Sequence, residues 1–504
     1  MEQKTRQCPP RASAMIEALR GLGYSTATAL ADIIDNSIAA SSKNIDVQFT
    51  WNDKESSISI LDDGYGMDEA ELERAMRLGD RSPLEVRTGN DLGRFGLGLK
   101  TASFSQCRSL TVASRKDSKA SCLRWDLDVL AQSKDDGWHL LEGVAKGSEF
   151  QLVSFSRVKT GTLVVLERLD RVVTEGFTDQ HFLDLVDTVE RHLSMVFHRY
   201  LEGKTPKIVI AINGRAIHPW DPFLSGHPAT WSSQVVRFPA GGGIVEVQCH
   251  VLPHRDKLVP GEHDIAGGPD GWTAQQGFYV YRNERLLLAG SWLGLGQGRS
   301  WTKEEAHRLA RIRLDFCNTA DSEWKIDIRK STARPPVLIR SRLTRLAEDT
   351  RERARRVFAH RGQTVRFGDS QPVTQAWRSE HFSGGMRYRI EETHPAVRAV
   401  LDEAGALAPQ IKAMLRVIEE TIPVQRIWLD TTEAKETPST GFEGSIPAEV
   451  KSVLDVMFRS MVNKKGLSPS VARGRLLHTE PFHNYPDLVA ALSDDQATDG
   501  ELIS

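Results

Sequence analysis

The sequence predicts an α+β protein whose N-terminal part is a two-layer α/β sandwich. Apolar residues recur at helical spacing over residues 27–40, which gives a helix with one buried stripe. Polar and apolar residues alternate over 57–61 and in short stretches between 109 and 169, which is the pattern of half-buried strands. A further helix is predicted over 179–200. Elements in this order form an antiparallel or mixed sheet with helices packed on it.

The predicted helix at 27–40 carries the first of three polar segments that suggest a ligand site. Asp32 and Asn36 are four residues apart, so they lie on the same side of the helix. The amide oxygen of Asn36 is a suitable ligand for Mg²⁺, which takes few protein ligands. The carboxylate of Asp32 is placed to act as general base on a water that attacks a phosphate. A solvated polar face on an amphipathic helix is the commoner explanation of such a pair when it stands alone.

The second segment follows the predicted strand at 57–61. Asp62 can accept a hydrogen bond from the exocyclic amine of a base at the end of that strand. Gly64 and Gly66, just before Met67, would let a flat ring lie against the backbone because they have no Cβ. An ordinary β-turn is the alternative explanation.

The third segment is rich in glycine and opens a predicted helix. It reads Gly93-Arg94-Phe95-Gly96-Leu97-Gly98-Leu99-Lys100. Backbone N–H groups ahead of a helix N-terminus suit phosphate oxygens. The spacing is neither that of a P-loop nor that of a dinucleotide-binding fold.

The order and spacing of the three segments resemble the GHKL superfamily of ATPases, and the glycine-rich segment is most similar to its MORC and MutL branch. Gly161-Thr162 matches a fourth element, which in the family lies beneath the adenine. The resemblance implies a Bergerat-type ATPase fold with ATP and Mg²⁺ as cofactors. It implies that Asp32 is the catalytic base, that Asn36 holds the metal and that Asp62 binds the adenine amine. The implied nucleotide-binding set is Asn36, Asp62, Gly64, Gly66, Met67, Gly93, Arg94, Phe95, Gly96, Leu97, Gly98, Leu99, Lys100 and Thr162.

Asp32 departs from the family pattern, in which a glutamate usually stands at this position. The aspartate carboxylate would lie about 1.5 Å further back, since its side chain is one methylene shorter. A misplacement of about 1 Å can cost on the order of a hundredfold in rate. We therefore expect nucleotide binding with slow turnover, unless the helix is shifted to compensate.

We predict three domains: an ATPase domain over 1–205, a transducer domain over 206–335 and a mainly helical C-terminal domain over 336–504. In the transducer, the resemblance implies a catalytic lysine near the γ-phosphate, with Lys330 favoured and Lys325 second. Residues 78–92 are predicted to form a lid over the nucleotide. The pattern also predicts a strand at 149–154 and a helix-like crossover within 301–310.

The region from Val337 to Ala359 is predicted to be one long helix that is rich in arginine. It can line a DNA path, because arginine contacts phosphates without regard to sequence, or form a solvated face with i,i+4 ion pairs. The sequence favours neither. The helix carries Arg340, Arg342, Arg345, Arg351, Arg353, Arg355 and Arg356.

Composition bears on the cellular compartment of the protein and not on the chemistry of its site. The net charge of −2 gives no overall attraction to nucleic acid or membrane, and the 5 cysteines contain no C-x-x-C pair. No run of about 18 apolar residues and no signal-peptide pattern is present. We expect a cytoplasmic protein without a membrane partner.

The resemblance implies ATP hydrolysis coupled to homodimerisation, with DNA as a partner and a separate nuclease or helicase in a restriction, phage-defence or repair-like system. One alternative is a nucleotide-gated clamp with little turnover. Another is a chaperone-like protein, which should carry an apolar client-binding region. A histidine kinase would need a phosphoacceptor helix pair before the ATPase segments, and 26 residues precede Ala27.

Overall fold

The computed structural model describes residues 10–80, 98–133, 137–240, 243–259, 261–317, 321–324, 333–359, 374–382, 385–427, 448–464 and 466–493. The chain divides into two compact units, Met1–Gln363 and Thr364–Ser504. The first unit contains two sheets, each with its own hydrophobic core. The second unit is built around a smaller core of its own.

The first sheet is mixed and has eight strands in the order β5-β4-β3-β6-β2-β1-β7-β8. The parallel pair is β1 with β7, and the other neighbours are antiparallel. The strands are β1 Asn44–Thr50, β2 Ser57–Asp62, β3 Ser109–Lys116, β4 Lys119–Asp126, β5 Leu141–Glu142, β6 Gly161–Glu167, β7 Val209–Ile212 and β8 Arg215–Ala216.

Helices cover the first sheet and confirm the predicted α/β sandwich. Leu30, Ile33 and Ile34 of α2 are almost fully buried against the sheet, together with residues of α4 and α7. Ser25 caps α2 by accepting a hydrogen bond from the Thr28 amide. The helices are α1 Ala12–Arg20, α2 Thr26–Ala39, α3 Glu69–Met76, α4 Gly98–Phe104, α5 Leu127–Gln132, α6 Leu152–Phe155, α7 Asp179–Val196 and α8 His198–Leu201.

Residues 149–154 were predicted to be a strand, and this prediction is wrong. They form a short 3₁₀ turn, Glu149–Gln151, followed by α6. Leu152 and Phe155 pack against β3 and β6, whereas Phe150 and Val153 are exposed. The contacts at i and i+3 therefore decide the structure, rather than the apparent alternation of Phe150 and Leu152.

The second sheet has six strands. Its main order is β10-β11-β14-β12-β13, and β9 pairs with β11. Its strands are β9 Trp231–Ser232, β10 Val236–Ala240, β11 Gly243–Val251, β12 Gly277–Arg282, β13 Arg285–Ser291 and β14 Ala310–Phe316. The associated helices are α9 Glu262–Gly267, α10 Gly271–Ala274, α11 Asp321–Trp324 and α12 Val337–Ala359.

Two elements near the second sheet differ from the sequence prediction. The expected crossover helix within 301–310 is a 3₁₀ turn, Glu305–His307, that leads into β14. The segment around 209–216, assigned from sequence to the transducer domain, supplies β7 and β8 of the first sheet. The division into three domains itself stays a prediction.

Helix α12 has the predicted bounds and packs on the second sheet. Ile339, Leu343, Ala347 and Ala354 are buried in the core of that sheet. Several of the arginines have structural contacts: the Arg351 guanidinium lies 4.8 Å from the Trp292 ring centre and 4.7 Å from that of Trp301. Arg353 stacks on Trp231 at 4.1 Å, and Arg342 lies over Phe238 at 4.7 Å. The arginine-rich face is thus partly engaged within the protein.

The second unit is mainly helical, as predicted, and also contains a hairpin that the sequence analysis missed. Its core is centred on Leu454, Met457 and Phe458. The hairpin consists of β15 Trp377–Phe382 and β16 Gly385–Ile390. The helices are α13 Pro395–Glu403, α14 Ala408–Glu420, α15 Ala448–Arg459, α16 Pro469–Leu476 and α17 Pro486–Ala490.

Hydropathy gives no support for a membrane-spanning helix. Among the described residues, each helix is too short or too polar to cross a bilayer.

We predict that Arg351→Ala destabilises the first unit by about 2–3 kcal/mol, because it removes a buried cation between two tryptophan rings and the packing of its aliphatic stem. Arg355→Ala, on the same helix, should have little effect because Arg355 is exposed. Urea unfolding of both variants, followed by tryptophan fluorescence, measures the difference. Equal midpoints would show that the stacking contributes nothing to stability.

Candidate functional site

The site begins on α2, which presents both buried carboxylates and an exposed amide. Asp32 is 5% exposed and Asp35 is 2% exposed, whereas Asn36 at the end of the same stretch is open to solvent. Because Asp32 and Asn36 are one helical turn apart, they lie on the same side of the helix, as the sequence predicted. Asp35 lies on the side of α2 that meets Arg285 of β13.

The carboxylate of Asp32 is contacted from two directions. The Tyr24 hydroxyl donates a hydrogen bond of 3.0 Å to Oδ2, and the Arg285 Nη2 lies 3.5 Å from Oδ1. Arg285 also donates from Nε to Asp35 over 3.2 Å.

Burial and the nearby Arg285 cation together lower the pKa of His192 to about 4, so this histidine is neutral at physiological pH.

Sequence reasoning missed Arg285 and Tyr24. Arg285 is the first residue of β13 in the second sheet, 253 positions from Asp32. No periodicity or local motif relates residues so far apart in the chain. Tyr24 lies just before α2. The available sequence signal for it is its position one residue before the Ser25 cap.

Asn36 is suited to the metal role that the resemblance implies. Its Nδ2 donates to the backbone carbonyl of Asp32 over 3.2 Å. This hydrogen bond uses the amide nitrogen, and the amide oxygen is the atom that Mg²⁺ coordinates. An exposed position leaves room for the water ligands that Mg²⁺ retains.

Asp62 and Thr162, which the sequence predicted to contact adenine, lie directly opposite each other on β2 and β6. The Asp62 carboxylate accepts hydrogen bonds from Ser37 Oγ at 2.8 Å, from the Gly64 amide at 2.9 Å and from the Thr162 amide at 3.3 Å. Burial raises the pKa of Asp62 above its usual value, although these three donors act in the opposite direction. The structure thus brings these two predicted site residues together.

Two serines complete this part of the site and were missed in the sequence. Ser37 follows Asn36 on α2 and supplies the donor to Asp62. Ser114 on β3 accepts from the Met67 amide at 2.8 Å, and its hydroxyl lies 2.9 Å from that of Thr162. Met67 and Thr162 are therefore held by one hydroxyl. A serine on a strand gives no signal that separates this role from ordinary burial.

The chain packs so closely here that glycine is required at two positions for reasons independent of any ligand. Gly66 has φ +68°, and a Cβ there would lie 2.0 Å from the carbonyl oxygen of Arg115. Gly161 has φ +144°, and its Cβ would lie 2.0 Å from the carbonyl oxygen of Asp62. The Gly-Thr pair therefore allows β6 to approach the end of β2.

Lys100 lies on α4, which begins at Gly98, beside the half-buried Leu99. Its ammonium group donates to the Ala75 carbonyl of α3 at 2.9 Å, and the side chain is buried. Burial lowers the pKa of Lys100 to about 8, and the charge of Asp80 partly opposes this shift. The predicted phosphate role of this lysine stays a prediction.

Several predicted site residues fall outside the described residues. These are Gly93, Arg94, Phe95, Gly96 and Leu97 of the glycine-rich segment, together with Lys325 and Lys330. Most of the predicted lid, from residue 81 onward, also falls outside them. Their assigned roles remain predictions.

Comparison with known proteins supports the fold. The family described as "Histidine kinase-, DNA gyrase B-, and HSP90-like ATPase" matches residues 24–160. "ATPase morc-1" from Caenorhabditis elegans is 29% identical over 90 residues, which cover 18% of this chain and 10% of that protein. "Chaperone protein HtpG" from Aliarcobacter butzleri is 24% identical over 168 residues, or 31% of this chain and 24% of that protein.

The matched region holds α2 and β2, and residues 24–160 match an ATPase domain of the GHKL type. The expected resemblance is thus confirmed, and the similarity to "ATPase morc-1" agrees with its MORC-like branch. The chain aligns with about a tenth and about a quarter of the two relatives, so their whole activities are not carried over.

We predict that Gly66→Ala destabilises the ATPase domain by about 2–5 kcal/mol, because left-handed strain adds to overlap with the Arg115 carbonyl. Gly79→Ala is the matched control. Gly79 has φ +73°, but a Cβ there meets no described heavy atom within 4 Å, so strain of about 1–2 kcal/mol is expected alone. Thermal unfolding compares the two, and equal losses would contradict the close approach at Gly66.

Proposed function

We propose that the protein binds Mg-ATP and hydrolyses it, and that nucleotide binding gates its dimerisation. The observation that supports this most directly is the placement of Asp32 and Asn36 one turn apart on α2, within the region that matches the ATPase family. Asp62 and Thr162 lie together at the end of β2, at the position where the family resemblance implies an adenine contact.

Each residue then has one chemical role. Asp62 would accept a hydrogen bond from the adenine amine, and Asn36 would hold Mg²⁺ together with the phosphates. When bound, the ion would neutralise phosphate charge. Asp32 accepts the proton of the attacking water, and its fixed position determines how well that water is aligned.

The Asp32 side chain reaches less far than the usual glutamate, which favours slow turnover. A nucleotide-gated clamp with little turnover is therefore the first alternative. In this alternative, binding of nucleotide to one conformation shifts the population towards it, and hydrolysis contributes little.

The larger biological role is a separate part of the proposal. Action on DNA, together with a separate nuclease or helicase in a restriction, phage-defence or repair-like system, rests on the resemblance and on the exposed arginines of α12. Those exposed side chains are Arg340, Arg342, Arg345, Arg355 and Arg356. A local basic surface of this kind binds phosphates even when the whole chain is nearly neutral.

A chaperone-like role is the second candidate. The similarity to "Chaperone protein HtpG" favours it, and so do the exposed apolar side chains of α14, which include Met414, Val417 and Ile418. A client-binding surface needs apolar area of this kind.

We predict that Asp32→Asn lowers steady-state ATP hydrolysis by about 100-fold or more, because the general base is lost while the side-chain size is kept. The matched control is Asp117→Asn in the exposed turn after β3, which should leave turnover unchanged. Both variants and the wild type are assayed with and without duplex DNA.

Turnover that disappears in Asp32→Asn and rises with DNA in the wild type would support a DNA-coupled ATPase. Negligible turnover in wild type and variant alike, with ATP still bound in calorimetry, would replace this proposal by the clamp. A rate that depends on an unfolded client instead of DNA would favour the chaperone.

We predict that ATP binding near pH 8 is accompanied by proton uptake of about half a proton per site. Lys100 is about half neutral at its pKa of about 8, and a neighbouring polyphosphate would favour its charged form. Calorimetry in two buffers of different ionisation enthalpy measures the uptake. Lys100→Met should abolish it, and Lys119→Met, at an exposed strand position, should not. Identical uptake in both variants would remove Lys100 from the phosphate site.

A further inference from the structure

The contact between α2 and the second sheet points to a role for Arg285. This residue is 5% exposed and begins β13, directly after a two-residue turn. Its guanidinium reaches across to the helix that carries the proposed general base. All three of its nitrogen atoms have contacts, and each contact lies on a different group.

The three contacts fix the orientation of the guanidinium plane. Nη1 donates to the backbone carbonyl of Leu286 at 2.7 Å, and Nε donates to Asp35 at 3.2 Å. Nη2 then lies 3.5 Å from Oδ1 of Asp32. The ring of Phe197 lies 5.9 Å from the guanidinium carbon. Because the guanidinium is planar, fixing two of its nitrogens determines where the third one lies. A lysine ammonium has no such fixed geometry.

The turn before Arg285 is itself anchored to α8 and to the segment that leads into β7. The Tyr200 hydroxyl of α8 donates to the Asn283 carbonyl at 2.6 Å, and Lys207 forms an ion pair with Glu284. Asn283 and Glu284 both have left-handed backbone conformations, with φ of 49° and 67°. A left-handed glutamate is uncommon and is retained where surrounding contacts determine the backbone.

We infer that Arg285 is a positioning residue for the proposed hydrolysis: it holds the Asp32 carboxylate from the second sheet, with Asp35 fixing Arg285 in turn. This inference rests on the proposed function, because it assigns the regulation of that same site. Tyr24 holds the other carboxylate oxygen of Asp32, so the two contacts together limit rotation of a side chain that is one methylene short. Hydrolysis then requires the β12–β13 hairpin to be docked against α2.

The test separates positioning from nucleotide binding. Arg285→Gln should lower kcat for ATP by about 10- to 100-fold, since a base displaced by about 1 Å loses a comparable factor. The KM for ATP should change by less than about twofold, because the structure places Arg285 on Asp32 and Asp35. Arg285→Lys, which keeps the charge but not the fork, should give an intermediate kcat.

Glu284→Gln is the matched control in the same turn. It removes the ion pair with Lys207 without touching Asp32 or Asp35, so kcat should stay near the wild-type value. Thermal unfolding of each variant shows whether the protein remains folded at the assay temperature. A kcat for Glu284→Gln as low as that of Arg285→Gln would show that general loosening of the hairpin, and not Arg285, is responsible.

A double-mutant cycle with Asp35 tests whether Asp35 acts on Asp32 through Arg285. Asp35→Asn should lower kcat by about 10-fold, and the double variant should be no worse than Arg285→Gln within about threefold, because both changes release the same guanidinium. If the two losses in kcat multiply in the double variant, Asp35 does not act through Arg285. The same cycle on unfolding midpoints gives a readout that does not require turnover, and additive stability losses there would also count against an action of Asp35 through Arg285.

The outcomes distinguish this inference from the proposed function. Wild-type turnover retained in Asp32→Asn would remove Asp32 as the base, and the proposed mechanism would fail with it. Loss of turnover in Asp32→Asn, combined with wild-type kcat in Arg285→Gln, would overturn the role of Arg285 alone. An unchanged kcat with a raised KM would instead make Arg285 a nucleotide-binding residue.

Discussion

The burial of two carboxylates on one helix is the constraint on which the site depends. Asp32 and Asp35 lie on the side of α2 away from Leu30, Ile33 and Ile34, and they are buried there beside Tyr24 and Arg285 of β13. A buried carboxylate is stable as an anion only if donors or a cation replace its hydration. The structure meets this requirement with Tyr24 and Arg285, so the geometry of the site includes a residue of the second sheet.

Much of the fold and part of the site are predictable from sequence because they depend on local patterns. The bounds of α12 and the strand that ends at Asp62 follow from periodicity, and the family-like order of segments assigns Asp62 and Thr162 to the same predicted site. The predicted strand over 149–154 overlaps a helix at 152–155 because its three apolar residues, Phe150, Leu152 and Val153, fit both periods. Packing on β3 and β6 decides between helix and strand, and the local sequence pattern does not show this packing.

The residues that were missed share a physical reason. Ser114 and Arg285 act through contacts between elements that are far apart in the chain, and neither stands in a recognisable motif. The number of arginines in α12 does not predict their contacts, because the sequence does not show which side chains lie next to them. Arg351, placed between Trp292 and Trp301, is a packing residue of the second sheet.

The pairing of β7 with β1 bears on where the chain can be cut. Residues 44–47 of β1 pair with 209–212, and the Asn213 side chain accepts a hydrogen bond from the Phe49 amide at 2.8 Å. A fragment that stops at residue 205 would leave the backbone donors and acceptors along this edge unpaired, which invites association with other chains. An expression fragment of the ATPase domain should therefore extend through Ile217, whose side chain is buried in the same core.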